Sequence, residues 1–210
     1  MSSSTPATKT CRRCREEIGR ASVFCENAQC GAVQPVDAAT TYYDVLLEQP
    51  PTFHVDAARL RRRFLKLQQA VHPDIFSRRE QAERGCAAAQ SAWVNDAYAT
   101  LKDPLRRARY LLRLHGRDLV EDEQAGDPEL LMEIMESREE LEAATTEARV
   151  AELKQRNSAD MARVVEDLGQ AFGAGDLDGA RRLAQRLQYV RRVMQAIDGW
   201  EPGRPVVVGH

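Results

Sequence analysis

The chain is 210 residues long, with 43% apolar and 30% charged residues and a formal net charge of −2. That length allows one domain with a real core or two small ones, and no run approaches the roughly eighteen apolar residues of a membrane helix. Near-neutrality, with residues 118–147 holding twelve acidic residues against the single base Arg138, argues against a nucleic-acid partner.

Residues 1–10 are Ser/Thr-rich with one lysine and read as a disordered lead. They offer neither the apolar region of a signal peptide nor a convincing transit peptide. The expectation is an intracellular protein with reduced thiols, in a bacterial cytosol or, as the alternative, a mitochondrial matrix. Residues 11–36 form a cysteine-bearing module closed by Pro35. Cys11, Cys14, Cys25 and Cys30 have the spacing C-x2-C-x10-C-x4-C. Two thiolate pairs joined by a short excursion suit a tetrahedral structural Zn²⁺ site, and Gly31 would let backbone amides face the sulfurs. Two disulfides are disfavoured by the reducing compartment, and an iron–sulfur ligand set is a third option. Four sulfur donors leave no open coordination position, so a stabilising or docking role is expected. A redox reading of Cys11-x-x-Cys14 would want a preceding strand, and no strand pattern precedes it.

The helical part begins with the short apolar-aromatic turn Tyr42-Tyr43-Asp44-Val45-Leu46. From Val55 to Val71, Leu60, Phe64, Leu67 and Val71 form one apolar stripe. Arg59, Arg61, Arg62, Arg63 and Lys66 cover the other faces with no acid among residues 59–66. Pro73 cannot continue this helix, so His72 and Asp74 stand on a tight loop beside a basic face. On the three letters alone, this could be only a helix ending at a proline; the basic face makes it a place to dock a partner. A second helix, Gln81–Leu101, places Cys86, Ala89, Trp93, Ala97 and Leu101 at three- or four-residue spacing, which makes Cys86 a buried core thiol.

A short helix, a basic helix, His72-Pro73-Asp74 and a long returning helix resemble a J domain, the module that stimulates ATP hydrolysis by DnaK-type chaperones. The stretch Asn95-Asp96-Ala97-Tyr98 through Lys102-Asp103-Pro104-Leu105 to Tyr110-Leu111-Leu112-Arg113-Leu114-His115-Gly116 narrows this. It is similar to the HscB/Jac-type J proteins of iron–sulfur cluster biogenesis, and the similarity covers about residues 40–198. The resemblance implies a J domain over 40–116. His72, Pro73 and Asp74 would be its ATPase trigger for a DnaK/HscA-type chaperone, helped by Arg59, Arg62, Arg63 and Lys66. Some members carry a four-cysteine zinc module here, with Cys-x-x-Cys as the usual second pair; in this chain Cys25 and Cys30 enclose four residues.

Residues 118–127 are polar and read as a connection, followed by helical patterns at about 128–144, 146–172 and 176–198 and a flexible tail over 199–210. Asp127-Pro128 starts the first as N-cap and N1. On a wheel of about 100° per residue, Leu130, Ile134 and Leu141 share a core stripe while Leu131, Met132 and Met135 fall in a second arc with Glu139 and Glu142. In the last helix Leu183, Leu187, Val190, Met194 and Ile197 form the core stripe, with Tyr189 and Val193 projecting off it. The resemblance implies that Leu131, Met132, Met135, Glu136, Glu139 and Tyr189 contact an IscU-type cluster scaffold.

The expected fold is all-α: a J domain joined to a C-terminal three-helix bundle over 128–198, plus the small zinc-binding module. No Gly-x4-Gly-Lys-Ser/Thr loop and no triad or paired-carboxylate constellation occurs, so a non-enzyme is expected. The rival readings are a general J protein for unfolded clients, a zinc-module nucleic-acid binder and a thiol redox enzyme.

Overall fold

A computed structural model describes residues 8–118 and 128–202, apart from the side chains of Pro73, Pro128, Glu129, Leu131 and Ile134. The tail beyond 202, the start of the lead and most of the polar connection lie outside the described residues. The chain divides into two compact units: one gathers the chain up to Pro51 with Val55–Asp103, the other Thr52–His54 with the chain from Pro104 onward.

In the first unit, β1 (Thr8–Thr10) pairs antiparallel with β2 (Glu17–Gly19), with Lys9 opposite Ile18. The disordered lead expected over 1–10 therefore ends earlier, and a strand does precede Cys11. Strands of three residues are too short to show an alternating pattern. Helix α1 (Tyr42–Leu46) opens with a capping box in which the Thr41 and Asp44 side chains accept from each other's backbone N–H. Helix α2 (Ala57–Val71) is capped by Asp56, whose carboxylate accepts the N–H groups of Ala58 and Arg59. Pro73 ends α2 and starts a 3-10 turn, Pro73–Phe76.

Helix α3 (Gln81–Lys102) returns against α2 and that turn. Its buried seam is Ala87, Gln90, Val94, Ala97 and Leu101, rather than a stripe through Cys86, Ala89 and Trp93. The expectation misplaced the seam because Gln90 is polar and was not counted as core. Trp93 is half-buried, edge-on to Tyr42 at 5.1 Å, and Cys86 is half-buried rather than a core thiol. Phe64 lies at the margin of the α2 stripe, stacked on Tyr98 at 4.0 Å.

The second unit contains α4 (Pro104–Leu114), α5 (Pro128–Glu142), α6 (Glu147–Ala174) and α7 (Leu177–Asp198). Asp103 is extended ahead of Pro104, as a residue before proline prefers, and the two compact units meet in sequence there. Helices α5 and α6 both pack on α7, as the expected C-terminal three-helix bundle requires, and α4 packs on α7 as well. Leu105, Ala108, Tyr110, Leu111 and Leu112 are the buried side chains of α4. Phe53 is buried here too, stacked on Phe172 at 5.4 Å and with the Arg107 guanidinium over its ring at 4.7 Å. Helix α6 continues through Gly173 and stops at Gly175 (φ 73), whose left-handed backbone turns the chain into α7.

Candidate functional site

The four-cysteine centre is built from two backbone turns. In the first, Cys11 N–H donates to Glu16 O at 2.8 Å, Arg15 N–H donates to Cys11 O at 3.1 Å, and Arg15 takes a left-handed φ of 66. In the second, Cys25 N–H donates to Ala32 O at 2.9 Å, and Cys30 and Gly31 both donate to Asn27 O. Gly31 thus closes the turn instead of directing its amide at a sulfur. The extra residues between Cys25 and Cys30 are absorbed by that turn.

The four Sγ atoms lie within 4.8 Å of one another, with Cys11–Cys30 at 3.8 Å and Cys14–Cys25 at 3.6 Å. A tetrahedral zinc–sulfur site with bonds of about 2.3 Å has edges of about 3.8 Å, close to the two distances above, so these four sulfurs could hold a metal ion. Sulfurs this far apart are not bridged, and all five cysteines are free. Burial pushes the Cys11 thiol up, but the backbone N–H groups of Cys14 and Arg13 and neighbouring thiols bring it down to about 6. Burial pushes Cys25 up to about 12. Four cysteine sulfurs gathered at this spacing are the donor set of a soft cation such as Zn²⁺.

The His-Pro-Asp turn is a surface feature. His72 and Asp74 side chains are 56% and 90% exposed, with Nδ1 and Oδ2 3.5 Å apart. The His72 Nδ1 accepts the Asp74 N–H at 3.3 Å, so the histidine caps the turn that presents it. Both side chains stand open to solvent. Of the basic residues on α2, Arg59, Arg61, Arg62 and Lys66 are exposed and Arg63 is half-buried. Arg59 donates to Leu47 O and, at 3.4 Å, to Gln49 Oε1. Arg63 donates to Val45 O and pairs with Glu48. Two of the four expected docking bases thus also hold the end of α1, a role that charge counting along α2 alone missed.

On α5, Met132 and Met135 are 63% and 59% exposed, and Glu136 and Glu139 are exposed beside them. The side chain of Leu131 lies outside those described. Tyr189 is half-buried and packs on the cluster of Leu141, Ala144, Leu153, Val193 and Ile197; burial raises its hydroxyl pKa. Val193 is itself buried in that cluster, contrary to the expectation that it projects off the core. Several acids of the segment are paired within the unit: Glu133 with Arg186 at 2.8 Å, Glu142 with Arg138 at 2.9 Å, and Glu140 with Arg156. Glu136 and Glu139 make no ion pair among the described residues.

Among the described residues no helix is long and apolar enough to cross a membrane. Residues 126–198 match the family of the HSCB C-terminal oligomerisation domain. The mouse iron-sulfur cluster co-chaperone protein HscB is 34% identical over 193 residues, covering 91% of this chain and 81% of its own. The crystal structure of human co-chaperone protein HscB superposes with a TM-score of 0.82 at 34% identity, covering 90% of this chain and 97% of that one. The Jac1 co-chaperone of Saccharomyces cerevisiae matches with a TM-score of 0.68 at 28% identity, covering 79% and 99%. Likeness of this extent makes the chain a member of the HscB/Jac1 co-chaperone family.

Proposed function

We propose that the protein is a non-enzymatic co-chaperone of iron–sulfur cluster assembly. It binds an IscU-type scaffold on its C-terminal helices, delivers it to a DnaK/HscA-type chaperone and stimulates that chaperone's ATPase through its J domain. The observation that carries this reading is the presentation of His72 and Asp74 on a capped, open turn at the end of a basic helix. Such a turn can reach into a partner and cannot surround a substrate. Arg62 and Lys66 would guide the approach to an acidic face of the chaperone. On the other unit, Met132 and Met135 beside Glu136 and Glu139 form an apolar centre with a charged margin, which suits burial against the scaffold with charge setting register. The cysteine centre holds Zn²⁺ as a structural ion, since four thiolates close its coordination.

The test is steady-state ATP hydrolysis by a DnaK-type chaperone with this protein added, with and without an IscU-type scaffold, alongside His72→Gln. Synergistic stimulation by protein plus scaffold, lost in His72→Gln, is expected. Stimulation indifferent to the scaffold would reduce the protein to a general J protein, and none at all would overturn the reading.

A further inference from the structure

Among the described residues, Gln34 and Gln90 are the buried polar ones, at 0% and 3% exposure. They are joined to each other and to the cysteine centre. Gln90 Nε2 donates to the main-chain carbonyl of Gln34 at 2.9 Å. Gln34 Nε2 donates to Ala32 O at 2.7 Å and to Cys11 Sγ at 3.4 Å, while its Oε1 accepts the Arg12 N–H at 3.1 Å. A buried amide is tolerated only when its groups are satisfied, and an apolar side chain would fill the seam of α3 at less risk. Arg12 makes a parallel link: its Nη1 reaches Ala82 O at 3.3 Å and Cys86 Sγ at 3.2 Å. Ala82, Cys86 and Gln90 stand at i, i+4 and i+8, so one face of α3 is held at three levels by residues adjoining the sulfurs. The same helix packs on the turn Pro73–Phe76.

We propose that the four-cysteine centre is a brace on the trigger: a bound metal fixes the Cys11 turn, and Gln34 and Arg12 carry that order to the Ala82–Cys86–Gln90 face of α3 and so to the His72–Asp74 turn. The brace rests on the metal-binding reading for its cause and on the J-domain reading for its consequence. Gln34 and Gln90 are positioning residues; neither touches a partner. The cluster that buries Cys11 consists of Cys25 and Ile18 with Cys30 packed against it, so the side chains around the Cys11 turn are mainly the sulfurs themselves and a metal joining them would add to its order.

Hydrogen exchange on the full chain tests this, comparing protein loaded with Zn²⁺ against the same protein stripped by chelator under reducing conditions, with metal content measured directly. Stripping is expected to speed exchange of amides in 82–94 and 74–77 by at least about tenfold while α6 and α7 change less than about twofold. In Gln90→Leu, zinc content is expected to hold while the response of α3 to stripping falls below about threefold. Bound zinc with an α3 indifferent to its removal overturns the brace, as does a Gln90→Leu protein with the full response. If Gln90→Leu does not fold, the wild-type pair alone decides. A wild-type protein that holds no zinc overturns the metal reading and the brace together. A metal-responsive α3 in a protein that fails to stimulate any DnaK-type chaperone supports the brace and overturns the trigger reading instead.

Discussion

Arg63 Nη2 lies 2.6 Å from Glu48 Oε1, and the same guanidinium donates through Nε to Val45 O at 3.2 Å. Arg63 therefore fastens the end of α1 to α2, whereas Lys66, one turn further on the same helix, is exposed. The two bases should separate by experiment. Arg63→Ala is expected to lower Tm by roughly 2–4 °C, since a half-exposed pair contributes at most about 1 kcal/mol in a chain of this size. Lys66→Ala should stay within about 0.5 kcal/mol of wild type and raise the concentration for half-maximal chaperone stimulation roughly 3–10-fold at low salt. Thermal melts and an ATPase titration at two salt concentrations check both; equal behaviour of the two variants would refute the division.

Met132 and Met135 lie largely in solvent, so their removal leaves the fold alone. Each carries apolar area whose burial is worth about 1 kcal/mol or more. The double variant Met132→Ala/Met135→Ala is expected to weaken binding of an IscU-type scaffold by roughly 10–100-fold with Tm unchanged. Tyr189→Ala is a poorer probe, because the ring packs on Leu141 and its neighbours and its loss would also loosen the bundle. Tyr189→Phe keeps the packing and isolates the hydroxyl. Calorimetric titration with the scaffold decides, and undiminished affinity in the double variant would remove α5 from the interface.

The His-Pro-Asp turn, the four cysteines and the helical segments were legible because each has a local signature: a proline stop, paired thiols, a 3.6-residue period. What was not legible depended on partners distant in sequence. Gln90 reads as a surface residue until the carbonyl of Gln34 is placed against it. That α4 packs on α7 is likewise hidden in the sequence, because the two helices are far apart along the chain. Val193 falls off the apolar stripe of its own helix, and only Leu141 and Leu153, from two other helices, make its position part of the core. The dual role of Arg59 and Arg63 was hidden in the same way, since Leu47, Val45 and Glu48 belong to the preceding helix and its end.

The pH dependence of the first unit should show the N-cap of α2. The Asp56 carboxylate accepts the backbone N–H groups of Arg59 and Ala58 at 2.9 Å, and with the charges of Arg62 and Arg59 this holds its pKa below the usual aspartate value. A depressed folded-state pKa contributes stability that is fully present above the unfolded value of about 3.9 and is lost as pH falls through the folded one. Asp56→Asn retains a capping oxygen and no charge. Wild type is therefore expected to be the more stable at pH 6–7, with the gap closing below about pH 4. Urea unfolding of both proteins across that range is the measurement, and a gap independent of pH would mean that hydrogen-bond geometry, not charge, makes the cap.

Two glycines near the end of α6 should respond to the same substitution with opposite signs. Gly175 has φ 73 and its N–H donates to Phe172 O, with Asp176 N–H donating to Ala171 O at 2.9 Å before its side chain caps α7. A Cβ there would meet nothing within 4 Å, so the penalty of Gly175→Ala is conformational: about 1–2 kcal/mol for a left-handed alanine, or roughly 2–8 °C in Tm. Gly173 is exposed, helical and equally open, so Gly173→Ala removes backbone freedom from the unfolded chain at no steric cost and should stabilise by about 0.5–1 kcal/mol. Thermal melts of the two variants read the difference directly. If Gly175→Ala melted at or above wild type, the left-handed turn joining α6 to α7 would not be what ends the helix.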